Sequence, residues 1–310
     1  MKQQETNILI LGSSGFIGSN VAKEARSQNW KVTGVSKTES ADRNSLDFKT
    51  SMIDIRDRTA VQSFLKDRAF DYVVNCSGYI DHTHYMHGGR AIIEQHLSGL
   101  FNVVEFLDRS RLKSFIQIGS ADEYGSLPAP QNETMREAPI APYSFAKTAM
   151  THFLQMLHKT EGFPGVILRV FLAYGPGQGK QRFLPQIIKG CLDGSSFPVS
   201  EGKQKRDFCH VSDIAKGILA ATQNSNAIGE TINLASGIPI TIREIIEKIR
   251  ELIGSGTPEY GKLPYRAGES MNVVADITLA KKLLAWQPKI DLETGLKQTI
   301  QYISTNHTYV

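Results

Sequence analysis

Tyr143 and Lys147 stand four residues apart in the run Tyr143-Ser144-Phe145-Ala146-Lys147, which follows Pro139 and Pro142. On a helix that spacing puts both side chains on one face. An ammonium beside a phenol favours the phenolate and draws its pKa down towards working pH. Tyr143 is then equipped to give or take a proton at a carbonyl or an alcohol. Upstream, Ile116-Gln117-Ile118-Gly119-Ser120 reads as a strand ending at Ser120. A hydroxyl at such an edge can hydrogen-bond the reacting oxygen. Each part alone is common; the Ser, Tyr and Lys in this order are far more specific.

Near the N-terminus the run Gly12-Ser13-Ser14-Gly15-Phe16-Ile17-Gly18 follows an apolar strand. Glycines spaced this way allow a tight turn and close approach of backbone to a pyrophosphate, and the last lets a helix pack on the sheet. The helix N-terminus adds free N–H groups and its dipole. The next strand ends Val35-Ser36-Lys37, where an NAD site usually carries an acid for the ribose 2′-hydroxyl. A hydroxyl and a cation suit a 2′-phosphate, so NADPH is expected, with NADH or NAD as the alternative; Glu39 and Asp42 lie close enough to blunt the preference. Asp54 and Ile55 are placed to meet the adenine. Cys76, Ser77 and Gly78 are placed to pass under the pyrophosphate and ribose. All are strand ends, where ligands gather in open α/β sheets.

The elements that must position these residues alternate. Strands are expected at Ile8–Leu11, Lys31–Val35, Ser51–Ile55, Tyr72–Asn75, Phe115–Ile118 and Gly165–Val170. Helices are expected at Phe16–Ser27, Thr59–Lys66, Ala91–Asp108 and Ala146–His158. Short apolar strands alternating with amphipathic helices predict a Rossmann-type, doubly wound parallel α/β sheet. Beyond about Tyr174 the pattern loosens into a smaller mixed α/β lobe that would take the substrate. The expected division is 1–175 for the dinucleotide, with 208–236 interleaved through strand-like Thr231–Leu234, and 176–310 for the substrate.

The chain has 310 residues, 41% hydrophobic and 21% charged, which excludes a disordered or collagen-like protein. A formal charge of +4, evenly spread, gives no reason to expect a nucleic-acid partner. Cys76, Cys191 and Cys209 form no metal or disulfide pattern, so a reduced, cytoplasmic compartment is expected. The opening residues run into a strand without a secretory leader, and no apolar run reaches the roughly 20 residues that span a bilayer. His82, His84 and His87, near Tyr79 and Asp81, lack a second ligand group; a substrate-cleft loop is expected rather than a metal site.

With these motifs in hand the chain resembles an extended short-chain dehydrogenase/reductase of the NAD(P)-dependent epimerase/dehydratase type, acting on nucleotide sugars, over essentially its whole length. The family's glycine loop, strand-end Ser/Thr and YxxxK fall on Gly12, Gly15 and Gly18, on Ser120, and on Tyr143 and Lys147. The resemblance implies that Arg206 binds the substrate pyrophosphate, that Arg182 takes a polar phosphate-side position, and that Arg266 and Glu269 contact phosphate and ribose. Arginine suits a diphosphate because its fork is bidentate and always charged. Phe197 and Val199 are candidates to line the base pocket. Long helices at Ala91–Asp108 and Ala146–His158 would pair across a two-fold, so a homodimer is implied.

Three reactions share this framework. The acid pair that follows the catalytic Thr in dehydratases is not intact here: its positions fall on Ala121 and Asp122. Leu172 stands where many epimerases carry an Asn. The run Gly119-Ser120-Ala121-Asp122-Glu123-Tyr124-Gly125 resembles GDP-4-keto-6-deoxymannose reductases, and the stretch Tyr174 to Asp213 resembles CDP-abequose and CDP-paratose synthases. With Ser36-Lys37, this favours NADPH-dependent reduction of the C4 ketone of a nucleotide-linked 4-keto-6-deoxyhexose, giving an activated deoxysugar for surface polysaccharide. The alternatives are an NAD-dependent 4-epimerase or 4,6-dehydratase, and a non-catalytic NAD(P)-sensing regulator, which would typically lack the Tyr or Lys retained here.

Overall fold

A computed structural model describes residues 5–38, 48–266 and 268–306. Glu39, Asp42 and Ala267 lie outside the described residues. The chain opens with β1 (Asn7–Leu11), α1 (Phe16–Ser27), β2 (Lys31–Ser36), β3 (Lys49–Met52), α2 (Arg58–Leu65) and β4 (Tyr72–Asn75). It continues with α3 (Gly89–Phe106), β5 (Ser114–Ser120), α4 (Pro142–Glu161) and β6 (Gly165–Val170). The second half holds β7 (Leu172–Tyr174), α5 (Phe183–Leu192), β8 (Ser196–Pro198), β9 (Lys205–His210), α6 (Val211–Thr222) and β10 (Thr231–Leu234). It ends with β11 (Pro239–Thr241), α7 (Ile242–Ile253), β12 (Thr257–Glu259), β13 (Asn272–Val273), α8 (Thr278–Leu284) and α9 (Leu292–Thr305).

Seven strands form a parallel sheet in the order β10-β6-β5-β4-β1-β2-β3. The order reverses between β1 and β4, which opens the crevice where dinucleotides bind in such sheets. Strands β4, β5 and β6 are buried along their whole length, as a sheet covered on both faces requires. One apolar layer joins the sheet to α1, α6 and α8; the other joins it to α2, α3 and α4. A third cluster fills the space among α5, α7 and α9. A smaller sheet, β11-β9-β13 with β7 also on β9, carries Arg206.

The expected strand at Ser51–Ile55 sits two residues earlier, at Lys49–Met52. It is an edge strand paired only with β2, and its sequence KTSM is polar. The apolar Ile53 and Ile55 that suggested a strand instead follow it and pack on the α2–α3 layer. Likewise α4 begins at Pro142, in the first turn where its missing N–H costs nothing, and not at Ala146. Strand β10 pairs parallel with β6, so a segment from the second half closes the main sheet. Among the described residues no helix is long and apolar enough to cross a membrane.

Candidate active site

The glycine loop lies at the switch between β1 and β4. Gly12 has φ +76°, and a Cβ there would sit 2.9 Å from the backbone of Cys76 and Ser77. A Cβ on Gly18 would run into the Gly12 carbonyl oxygen. Gly15 is the N-cap of α1; no side chain caps this end and no acidic residue sits in the first turn. The N–H groups of Phe16, Ile17 and Gly18 are therefore left for an anion. This narrow cradle fits a dinucleotide pyrophosphate. Across it, Asn75 Nδ2–H donates to Gln117 Oε1 at 2.8 Å, and Asn75 Oδ1 accepts the Ser77 N–H at 3.1 Å, which fixes the turn carrying Cys76, Ser77 and Gly78. Burial pushes the Cys76 thiol up to about 12, so it stays protonated as a packing group.

At the end of β2 the hydroxyls of Ser14 and Ser36 are hydrogen-bonded to each other. Lys37 Nζ lies 3.7 Å from Asp54 Oδ2. Asp54 also accepts from Arg56 Nε at 2.8 Å. The Arg56 hydrogen bond holds the Asp54 carboxyl low, at about 2, with Lys37 adding to it. Asp54 thus stands between two cations, and Ile55 packs against Gly99 of α3. Arg56 was passed over in the sequence; its signal was an arginine two residues after a strand-end aspartate.

Ser120, Tyr143 and Lys147 converge, all less than a tenth exposed. Ser120 ends β5 and caps a single turn at Ala121–Tyr124: its Oγ accepts the Asp122 N–H at 3.1 Å. With that lone pair engaged, its O–H is free to donate, and it acts on Tyr143 in the direction that favours the phenolate. Lys147 Nζ donates to the Ile118 carbonyl at 2.9 Å and lies 5.9 Å from the Tyr143 ring centroid.

The phenol differs from expectation. Burial, with Asp122 next, pushes the Tyr143 pKa well above its ordinary value, and the Ser120 bond only partly opposes this. The expected lowering by Lys147 is absent because the ammonium is hydrogen-bonded to Ile118 beside the ring and is itself brought down to about 8 by burial. Two histidines pack edge-on to the Tyr143 ring: His96 at 5.7 Å and His82 at 6.0 Å between centroids. His82 belongs to the cluster expected in a cleft loop. His96 went unremarked, although a histidine on the apolar face of α3 was visible; burial and then Lys147 hold it down at about 4, so it is neutral.

Asp122 faces the same space. Burial raises its pKa, while His82, Arg206 and Arg266 oppose the rise and Glu269 adds to it. Arg206, on β9, is ion-paired with Glu269 and donates to the Lys205 carbonyl at 2.8 Å. Arg182, the N-cap of α5, acts on Tyr143. Arg206 and Arg266 thus act on Asp122, and Arg182 on Tyr143. Ala121 is buried in an apolar cluster with Tyr124 and Phe171. Phe197 and Val199 pack into the α5–α7–α9 cluster, Phe197 against Gly190. A separate groove of about 1310 Å³ between β11, α7 and α8 is lined by none of these site residues.

Residues 8–235 match the model of the NAD dependent epimerase/dehydratase family. The chain is 26% identical to a UDP-glucuronate 4-epimerase of Thermodesulfobacterium geofontis, covering 96% of each chain. It is 28% identical to a dTDP-glucose 4,6-dehydratase of Xanthomonas campestris pv. campestris, covering 97% of this chain and 94% of the relative. The structure of a UDP-glucuronic acid 4-epimerase from Bacillus cereus in complex with UDP-glucuronic acid and NAD superposes with a TM-score of 0.89 at 27% identity, covering 96% and 99%.

Proposed function

The chain belongs to the NAD-dependent epimerase/dehydratase family, and from that premise we propose that it oxidises C4 of a nucleotide-diphosphate sugar, reversibly, in the manner of a 4-epimerase or 4,6-dehydratase. The convergence of Ser120, Tyr143 and Lys147 beside the glycine-loop cradle carries this reading. A bound nicotinamide dinucleotide supplies the acceptor and donor of hydride. Tyr143 Oη takes the C4 hydroxyl proton and returns it. Ser120 hydrogen-bonds the same oxygen, and Lys147 keeps a positive charge near it. In a 4,6-dehydratase the half-buried Asp122 would serve the second proton transfer on the sugar. Residues 1–175, with 208–236 interleaved, would hold the cofactor, and 176–310 the nucleotide sugar, with Arg182, Arg206 and Arg266 meeting its diphosphate, Glu269 its ribose, and Phe197 and Val199 its base. Pairing of α3 and α4 across a two-fold would make a homodimer.

The relatives and structural neighbours reported above are epimerases and a dehydratase. A second reading, NADPH-dependent reduction of a 4-keto-6-deoxy sugar, is favoured by two observations: the Ser14–Ser36–Lys37 corner, and a Tyr143 that holds its proton and so is set up to donate. One experiment separates the two. Denaturing the purified protein should release stoichiometric NAD, and the protein should convert UDP-glucuronic acid, UDP-glucose or dTDP-glucose, followed by proton NMR. No retained nucleotide, with exchangeable NADPH preferred, would overturn the first reading in favour of the second. In that case Lys37→Ala should weaken NADPH about 2- to 5-fold and leave NADH unchanged, as loss of one exposed phosphate contact does; titration by nucleotide fluorescence reads it.

Arg206→Ala removes a charge-assisted contact to the diphosphate. Such bonds contribute about 1.5–3 kcal/mol, so KM should rise roughly 10- to 150-fold with kcat much less affected. Initial rates at varied sugar concentration check this; an unchanged KM would remove Arg206 from the substrate site.

A further inference from the structure

Behind the strand end that carries Ser120 lies a carboxylate with no part in the chemistry proposed above. Glu123 is fully buried. Its Oε1 accepts the Ser120 backbone N–H at 2.8 Å. Its Oε2 accepts the Thr151 hydroxyl at 2.9 Å and Arg169 Nε–H at 3.0 Å. Thr151 is four residues beyond Lys147 on α4, so the two side chains face the same strand end. Lys147 meanwhile donates to the Ile118 carbonyl. The backbone from Ile118 to Ser120 is thus held by an ammonium at one residue and a carboxylate two residues on. Gly119 lies between them, and a Cβ there would come within 2.6 Å of Glu123 Oε1.

We propose that Glu123 is a positioning residue: it fixes the backbone of Ser120 and furnishes the buried negative charge that keeps Lys147 an ammonium. The proposal rests on the reading that Ser120 and Lys147 serve the reaction. Burial drives the Lys147 pKa down, and Glu123 is the main group opposing it. The charged and titratable groups around this core are Arg169 from β6, Glu137 from the segment before α4, Tyr143 from α4, Asp122 and Tyr124 from the turn itself, and Cys76 and His96 from the cofactor side. Arg169 neutralises Glu123 only in part, because it is shared with Glu137. Neither Glu123 nor Arg169 reaches solvent.

The test is the titration of Lys147 in protein stripped of nucleotide, followed by NMR of ¹³Cε-labelled lysine and assigned by its loss in Lys147→Arg. Glu123→Gln keeps an acceptor for the Ser120 N–H and removes the charge. Its Lys147 midpoint should fall by about one pH unit or more below the wild-type value. Glu137→Gln removes a charge from the far side of Arg169 without touching Ile118–Ser120, and should leave the midpoint within about 0.3 units. In turnover the basic limb of the pH profile should move down with the midpoint, since the protonated lysine is the working form. An unmoved midpoint in Glu123→Gln, or an equal shift in Glu137→Gln, overturns the proposal. Should the glutamine variant not fold, Glu123→Asp retains the charge: a preserved midpoint with kcat down about 10-fold supports the proposal, and unchanged kcat overturns it. The titration needs no substrate, so failure of the functional reading would leave it standing.

Discussion

Tyr143→Phe should lower kcat about 1000-fold while changing KM less than about 3-fold, the pattern left when an interaction made only in the transition state is removed. The change deletes one oxygen from a ring that stays packed. Tyr143 is 5% exposed, in the first turn of α4, with His96 and His82 edge-on to it. Those contacts, and the Pro142 that begins the helix, do not involve the hydroxyl. What is lost is the proton at the C4 oxygen and the partner of Ser120. Because burial and Asp122 hold the Tyr143 pKa up, the wild-type phenol is protonated at neutral pH. Below the Lys147 midpoint at about 8, oxidation of the alcohol should therefore accelerate as pH rises, while reduction of a ketone should not, and the variant should lose that pH dependence. Rates in both directions between about pH 6 and 7.5 check this, with nucleotide affinity measured beside them to show an intact site. Near-full turnover in the phenylalanine variant would remove Tyr143 from proton transfer.

The fold was legible because its central strands are buried on both faces. Runs such as NILIL and YVVN leave little choice but a covered parallel sheet, and Gly12 and Gly18 have steric reasons to be glycine that show in their spacing. The polar edge strand Lys49–Met52 was misplaced for the converse reason: with one neighbour and a half-exposed surface, it carries no apolar pattern. The site residues on strand ends and on the α4 face were legible by position. The direction of the Tyr143 pKa was not, because it depends on burial and on Asp122, which the spacing of Tyr143 and Lys147 does not report. His96 and Glu123 act through partners brought close only by the fold, whereas Arg56 pairs with Asp54 two residues away. Arg169 did leave a mark, as an arginine inside the otherwise apolar strand GVILRV, but its partners lie 46 and 32 residues away.

That arginine carries the second large effect. Arg169 is wholly buried, donates to Glu123 through Nε at 3.0 Å, pairs with Glu137, and lies 4.6 Å from the Tyr124 ring centroid. Burial works against its charge; Glu123, Tyr124 and Glu137 together outweigh that and raise its pKa. Arg169→Met keeps much of the volume and strands two carboxylates. Breaking a buried pair this way costs about 3–5 kcal/mol, a fall in Tm of roughly 5–8 °C for a chain of this size. The pH dependence gives the cause away. Without the guanidinium, burial should make Glu137 titrate higher in the folded protein than in the unfolded chain. A carboxyl with a raised folded pKa stabilises below its unfolded pKa, and that stability is lost as pH rises through the folded value. The deficit of Arg169→Met should therefore be largest at pH 8 and shrink towards pH 5. A deficit independent of pH in urea unfolding would mean that lost packing, and not the unpaired charge, sets the cost. Replacing Glu123 and Arg169 together by Gln and Met should recover part of the loss, because the buried charge leaves with its partner. The ion pair beneath Ser120 would then be dispensable for folding and needed for the placement of the groups above it.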